Sequence, residues 1–380
     1  MKKHAIIPIF IPHRGCPNDC VFCNQKAITA RQPDVTPSDA RRIIETYLPT
    51  LTGRGLETIE VAFFGGSFTG LSIDEQSAFL AVAADYKRRG FIDKIHLSTR
   101  PDYIDAAILD NLRSFDTDTI ELGVQSFDDS VLAAAGRGHT ASSVYEACSL
   151  IHEYGFELGI QLMIGLPGDS LGKCLYSARE TVRMKPSIAR LYPTIVLQDT
   201  ALYDMTRAGL YYPLTTPEAV SITKEMYRIL AGAGINIIRV GLKSTDLISG
   251  SGSEGDRTWG HTYHPAFRQL VEGEIAREDI EAQIRALPEV SPGADACAAD
   301  GSCAAENSCV VEVSCGADDA PIGKRRLTVS SNGVSFSNMI GNRACNRRYF
   351  ESAYPGLSLR FAVDDTLPDM TFRVAPSSGL

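Results

Sequence analysis

Glu157-Leu158-Gly159-Ile160-Gln161-Leu162-Met163-Ile164-Gly165-Leu166-Pro167-Gly168 is an apolar run that ends in a sharp Gly-Leu-Pro-Gly exit. An amphipathic stretch over 171–184 follows it, and then a second apolar run over 188–194. Strand, crossover helix, strand is the signature of a βαβ unit with parallel strands. The same alternation extends in both directions. Strands are predicted at 5–10, 58–64, 94–98, 119–123, 157–163, 188–194 and 236–241, with helical patterns at 37–48, 73–89 and 142–154 between them. The expected fold class is α/β: a partial parallel (β/α)6-type barrel with a small C-terminal α/β domain. In such folds the chemistry sits on loops at the C-terminal ends of the strands.

The chain has 380 residues, enough for one large catalytic domain and a smaller one. Its net charge of −9 argues against a surface covered in nucleic-acid-binding charge, though not against a local basic patch. No apolar run is long enough to span a bilayer. The N-terminal segment, broken by Pro8 and Pro12, makes a poor signal-peptide core. A cytoplasmic protein without membrane contact is expected. In a reducing compartment, ten cysteines in a chain of this length point to metal rather than to a disulfide scaffold.

Three of them follow the first strand: Gly15-Cys16-Pro17-Asn18-Asp19-Cys20-Val21-Phe22-Cys23. Three thiolates on one short loop hold three irons of a [4Fe–4S] cluster and leave the fourth open. An electron carrier would fill all four positions; an open iron invites a small chelating ligand. A structural zinc loop, with His13 as fourth ligand, is the alternative. Structural zinc usually takes two short-spaced pairs, and no second pair is near.

The Cys-x3-Cys-x2-Cys loop, with Phe22 before the last cysteine, resembles the radical S-adenosylmethionine superfamily over about residues 5–245. Within it the likeness is to the radical domain of the Elongator catalytic subunit and to oxygen-independent coproporphyrinogen oxidases. The resemblance implies that S-adenosylmethionine chelates the open iron. It also implies reductive cleavage to a 5′-deoxyadenosyl radical, with an electron donor such as ferredoxin or flavodoxin.

The resemblance extends to the loops after later strands. Gly65-Gly66-Ser67-Phe68-Thr69 is similar to the superfamily's glycine-pair motif, whose carbonyls meet the amino group of the cofactor. Ser98-Thr99-Arg100 resembles the Elongator sequence, which has an acidic residue in place of Ser98. Gln125 and the Gly136-Arg137-Gly138-His139 segment match both likenesses, with Arg137 expected on the cofactor carboxylate. His139 is read as a substrate-side acid or base, or as a local hydrogen-bonding residue. Gln161, polar inside an apolar run, is expected to face inward, and the backbone at Gly165 to lie near adenine. Phe22 completes the cofactor set. Met163 reads as core, and Tyr192 as cavity lining or packing.

The domain reading is a radical core over 1–245, a helical extension over 246–290, an insert over 291–320 and a basic α/β domain over 321–380. The extension includes Trp259-Gly260-His261-Thr262-Tyr263-His264, similar to a group of bacterial radical proteins. Residues 291–320 hold six acids, no Lys or Arg, and Cys297, Cys303, Cys309 and Cys315 at even spacing. They read as a mobile insert or as ligands of a second cluster. Residues 321–350 hold Lys324, Arg325, Arg326, Arg343, Arg347 and Arg348 and no acids. Their pattern, with Gly341-Asn342-Arg343-Ala344 where a Gly-x-x-Gly loop would stand, resembles a KH nucleic-acid module. No acetyltransferase signature is present. The reading is therefore a radical enzyme modifying a nucleoside, most plausibly in tRNA. The alternatives are a radical enzyme for a small molecule such as a tetrapyrrole, and a cluster or haem carrier without turnover.

Overall fold

The computed structural model describes residues 4–11, 20–23, 35–245, 248–250, 256–287 and 324–377. Cys16 and the four insert cysteines lie outside the described residues. The chain divides into two compact units: Met1–Thr215 with Glu225–Pro265, and Thr216–Lys224 with Ala266–Leu380.

The first unit is built on seven parallel strands in sequence order. They are β1 (His4–Ile11), β2 (Thr58–Gly65), β3 (Lys94–Thr99), β4 (Thr119–Gln125), β5 (Glu157–Ile164), β6 (Ile188–Pro193) and β8 (Asn236–Val240), the last after the two-residue strand β7 (Val196–Leu197). The sheet curls into a half-barrel, as the alternation predicts. Helices α1 (Pro37–Leu51), α2 (Ile73–Arg88), α3 (Ala106–Ser114), α4 (Asp129–Ala134), α5 (Ala141–Glu153), α6 (Leu171–Arg183) and α7 (Ala201–Arg207) form the crossovers. α8 (Thr216–Gly232) is shared between the units. The sequence patterns predict α1, α2, α5 and α6 within three residues at each end and offer no counterpart for α3, α4 and α7.

Side chains alternate across each strand. Val61 and Phe63 of β2, Ile95 and Leu97 of β3, and Ile120, Leu122 and Val124 of β4 are buried toward the helices. The opposite face carries Glu60, His96, Ser98, Glu121, Gln125, Gln161, Arg190 and Tyr192, so the interior of the half-barrel is polar. Side-chain caps start most crossovers: Thr36, Ser72 and Thr140 form capping boxes, and Asp105, Asp128 and Ser170 accept from first-turn N–H groups. A short antiparallel ribbon joins β7 to β9 (Thr258–Trp259).

The second unit has helix α9 (Phe267–Arg285) and the strands β10 (Arg325–Ser331), β11 (Leu357–Val363) and β12 (Arg373–Pro376). β10 is central, parallel to β11 and antiparallel to β12. Two short helices, α10 (Phe336–Ile340) and α11 (Cys345–Ala353), lie between β10 and β11. Val329, Met339, Phe350 and Ile280 form its core. The corner at Gly341 needs glycine for a local reason. At φ +80°, an added Cβ would sit 2.6 Å from Cys345 Sγ. Arg326 is exposed while its neighbours in alternation, Leu327 and Val329, are buried, so it lies on the open face of the sheet with Arg360. Arg343, Arg347 and Arg348 are exposed on the helical side. The six bases therefore do not all share one face. Among the described residues no helix is long and apolar enough to cross a membrane.

Candidate functional site

Of the expected site residues, Gly65, Gly66, Ser67, Ser98, Arg100, Gln125, Gln161 and Gly165 lie along or just beyond the C-terminal halves of β2 to β5, Arg137 follows β4, and Cys20 and Cys23 follow β1. Cys20-Val21-Phe22-Cys23 makes a tight turn, with Cys23 N–H donating to Cys20 O at 2.9 Å. Val21 anchors it on both sides: its N–H donates to Ala135 O at 3.1 Å, and its carbonyl accepts from Leu202 N–H at 2.8 Å. Phe22 packs on Val131, Ala135, Leu166 and Met163, and also on the cluster of Val196, Leu202 and Tyr211. Cys20 is buried. The turn presents two thiols at a fixed separation with apolar cover on one side. Cys16, the third expected ligand, is outside the described residues, among which no three metal-ligating side chains gather.

Arg137 reaches this turn. Its Nη1 donates to Cys20 Sγ at 3.4 Å and its Nη2 to Gly123 O at 2.5 Å. Two soft sulfur donors on one tight turn are of the kind that suits an iron–sulfur cluster. Arg100 acts one step back. Its guanidinium forks onto Asp102, 2.9 Å on each arm, and Nη2 also donates to the carbonyl of Arg137. Arg100, one of the residues expected at the cofactor, braces the backbone of Arg137. His139 is buried, with Nε2 donating to Val124 O at 3.2 Å. Burial, with Arg137 and Arg100 beside it, lowers its pKa to about 4, so it is neutral at physiological pH. That environment matches the hydrogen-bonding reading of His139.

The glycines have separable reasons. Gly65, at φ +115°, closes against β1: an added Cβ would stand 2.4 Å from Ile11 O. Gly66 N–H donates to Ile11 O at 3.1 Å. Ser67 is buried, and Thr69 ties the motif to β3 through Thr99 Oγ1 at 2.6 Å. Gln125 has φ +69°, rare for a non-glycine residue, and follows a register shift in β4. Its side chain accepts from Gln161 Nε2 at 3.2 Å, which brings both predicted glutamines together in the barrel. Gly165, at φ +79°, is clamped at both polar atoms. Its N–H donates to Asp169 Oδ2 at 2.9 Å, and its carbonyl accepts from Tyr211 Oη at 2.6 Å.

Below these loops runs a chain of buried charge that the sequence reading missed. His96 Nδ1 lies 2.6 Å from Glu60 Oε1, His96 Nε2 lies 3.4 Å from Glu121 Oε2, and Arg190 Nε lies 2.8 Å from Glu121 Oε2. His4 Nε2 is 3.2 Å from Glu60. Ser98 Oγ lies 3.5 Å from Glu121, and Arg190 Nη1 donates to Tyr192 Oη at 3.3 Å. Burial disfavours the charge on His96, but Glu121 and Glu60 outweigh it and raise the pKa to about 9. Burial also opposes the charge on Glu60, yet His4 and His96 lower it to about 2. Glu121 is likewise lowered against burial by His96 and Arg190. Two carboxylates and two cations thus balance inside the barrel. The available signal was alternation: each charged residue sits two places from another inward-facing position.

Known proteins resemble this arrangement. A model of the radical SAM superfamily matches residues 10–178, and a model of its C-terminal domain matches residues 186–277. The tRNA uridine(34) acetyltransferase of Dehalococcoides mccartyi is 30% identical over 230 residues, covering 52% of this chain and 50% of that protein. Human Elongator complex protein 3 is 26% identical over 263 residues, covering 58% of this chain and 47% of that protein. The chain spans about half the length of these curated relatives. The solved Methanocaldococcus infernus Elp3 with an N-terminal deletion shares the fold at a TM-score of 0.56. It is 19% identical, with 73% of this chain and 64% of that one covered.

Proposed function

The chain belongs to the radical S-adenosylmethionine superfamily of enzymes, and on that premise we propose that it modifies a tRNA nucleoside by radical chemistry. The observation that carries the reading is the Cys20–Cys23 turn, locked between Ala135 and Leu202 with Arg137 against Cys20 Sγ.

In this reading Cys16, Cys20 and Cys23 hold a [4Fe–4S] cluster. When bound, it supplies one electron to the sulfonium of S-adenosylmethionine and yields methionine and a 5′-deoxyadenosyl radical. Gly65, Gly66 and Ser67 present backbone and hydroxyl groups to the cofactor. Gln125 and Gln161 face it from the barrel, and Gly165 borders its adenine. Arg137 holds the Cys20 ligand and stands ready for the cofactor carboxylate. Phe22, Met163 and Leu166 keep one side of the cysteine turn dry.

The tRNA target is supported by the uridine(34) acetyltransferase relative, 30% identical over 230 residues. Acetyl transfer is not carried over, because only about half of that relative is matched. Arg343, Arg347 and Arg348, on the helical side of the small unit, are the proposed RNA contacts, and Lys324, Arg325 and Arg326 of β10 and its start are a second basic group for the same RNA. A cytoplasmic setting and a ferredoxin or flavodoxin as reductant complete the proposal.

Anaerobically reconstituted protein, given dithionite and S-adenosylmethionine, is expected to form 5′-deoxyadenosine and methionine. The Cys16, Cys20, Cys23→Ala variant should lose both iron and product. Iron retained without the three thiols, or zinc bound in their place, overturns the cluster. Nucleoside profiling of tRNA from cells lacking the protein tests the target; an unchanged profile, with no salt-sensitive RNA binding, removes it.

A further inference from the structure

We propose that Trp259, Tyr203 and Arg207 form a stacking platform for an unpaired RNA base beside the cysteine turn. The inference rests on the RNA reading above and names the surface that receives the nucleotide. The α7 helix begins at the turn: Leu202 N–H donates to Val21 O, and Tyr203 packs with Val21 and Phe22 around Val196, Leu202 and Tyr211. Trp259 meets Tyr203 edge-on, ring centroids 5.4 Å apart at 82°, and the guanidinium of Arg207 lies 5.9 Å from the indole centroid.

Trp259 is not placed there by chance of packing. The ribbon pairs it with Val196, Gly260 turns the chain at φ +83°, and Thr262 Oγ1 donates to Leu214 O. These contacts fix a backbone that leaves the indole 38% exposed. The loop after α7, in which Leu210 and Tyr212 are 75% and 81% exposed, comes close to this turn at Pro213, which stands 3.7 Å from the Cβ position of Gly260. An exposed indole with a guanidinium beside it is a surface that a flat ligand can cover. A rigid aromatic with an arginine plane over it is the pairing that single-stranded RNA recognition uses. Every base has a π-face, and stacking needs no sequence match. Paired bases cannot use it, so the platform selects loops and flipped nucleotides.

Trp259 is the one tryptophan in the chain, so its emission reports on this site alone. The test uses the full-length, cluster-loaded protein, a fluorescein-labelled RNA hairpin carrying an anticodon loop, and a blunt RNA duplex of equal length. Binding is read by anisotropy of the label and, separately with unlabelled RNA, by tryptophan emission. The hairpin is expected to bind and to quench the emission; the duplex should leave it unchanged. Trp259→Ala should weaken hairpin binding by about tenfold, and Trp259→Phe by less. Quenching in the unaltered protein needs no variant, so a misfolded variant does not decide the matter. If the hairpin binds by anisotropy without quenching, and the Trp259→Phe variant binds equally well, the platform is overturned while the RNA reading stands. If no RNA raises the anisotropy, both fall.

Discussion

Arg137 was expected on the carboxylate of a bound cofactor, and its side chain is found 3.4 Å from Cys20 Sγ. The two roles predict different numbers. A positive hydrogen-bond donor on a cluster ligand draws electron density from the sulfur and stabilises the reduced cluster. Arg137→Gln is therefore expected to make the cluster harder to reduce, by about tenfold in the one-electron equilibrium constant, or ~59 mV. An anaerobic redox titration followed by electron paramagnetic resonance reads it directly. A potential that does not move, with weakened S-adenosylmethionine binding, would return Arg137 to the carboxylate role alone. No reading of the sequence places Arg137 on Cys20, because the contact joins residues 117 positions apart. The same holds for Arg100, whose partner carbonyl lies 37 residues on.

At the scale of elements, strands were the legible part. Each of the seven, five to eight residues long, carries apolar residues on at least one face, and the sequence pattern matches each within three residues at its ends. The missed helices α3, α4 and α7 have nine, six and seven residues, too short for a 3.6-residue period to stand out. β12, four residues long, offers only two turns of a two-residue alternation, too few to stand out. The Gly-Leu-Pro-Gly exit was visible; what holds it was not. Asp169 and Tyr211 fix Gly165 by its two polar atoms, and Tyr211 comes from the loop after α7. Removing the phenol leaves the part-buried Gly165 carbonyl one donor short, a cost of ~1 kcal/mol. If that loop borders adenine, Tyr211→Phe should raise the dissociation constant for S-adenosylmethionine by about tenfold. Iron content should be unchanged, since Phe keeps the ring in its cluster with Val196 and Leu202. Calorimetric titration of cofactor into variant and unaltered protein checks this; equal constants would show the clamp to be purely structural.

For the molecule as a whole, stability should carry the signature of the charges inside the barrel. His4, Glu60, His96, Glu121 and Arg190 face one another there, and His96 is the shared cation of two carboxylates. Its pKa in the fold, about 9, exceeds the ordinary 6.5, so folding is stabilised by its protonation. That contribution is complete below about pH 6.5 and is lost as pH rises through 9. Glu60 runs the other way: held at about 2 instead of 4.5, it stabilises above 4.5 and the gain is lost as pH falls through 2. His96→Gln keeps the shape of the site but removes the cation, leaving Glu60 to His4 and Glu121 to Arg190. Breaking a buried charge pair costs ~3 kcal/mol or more. The gap in melting temperature between unaltered and variant protein should therefore be widest near pH 6. It should narrow as pH rises through 9, where His96 has lost its proton in the unaltered protein as well. A gap of constant size from pH 6 to 9 would mean that His96 is neutral in the fold, and the balance of two carboxylates with two cations would no longer describe the barrel interior.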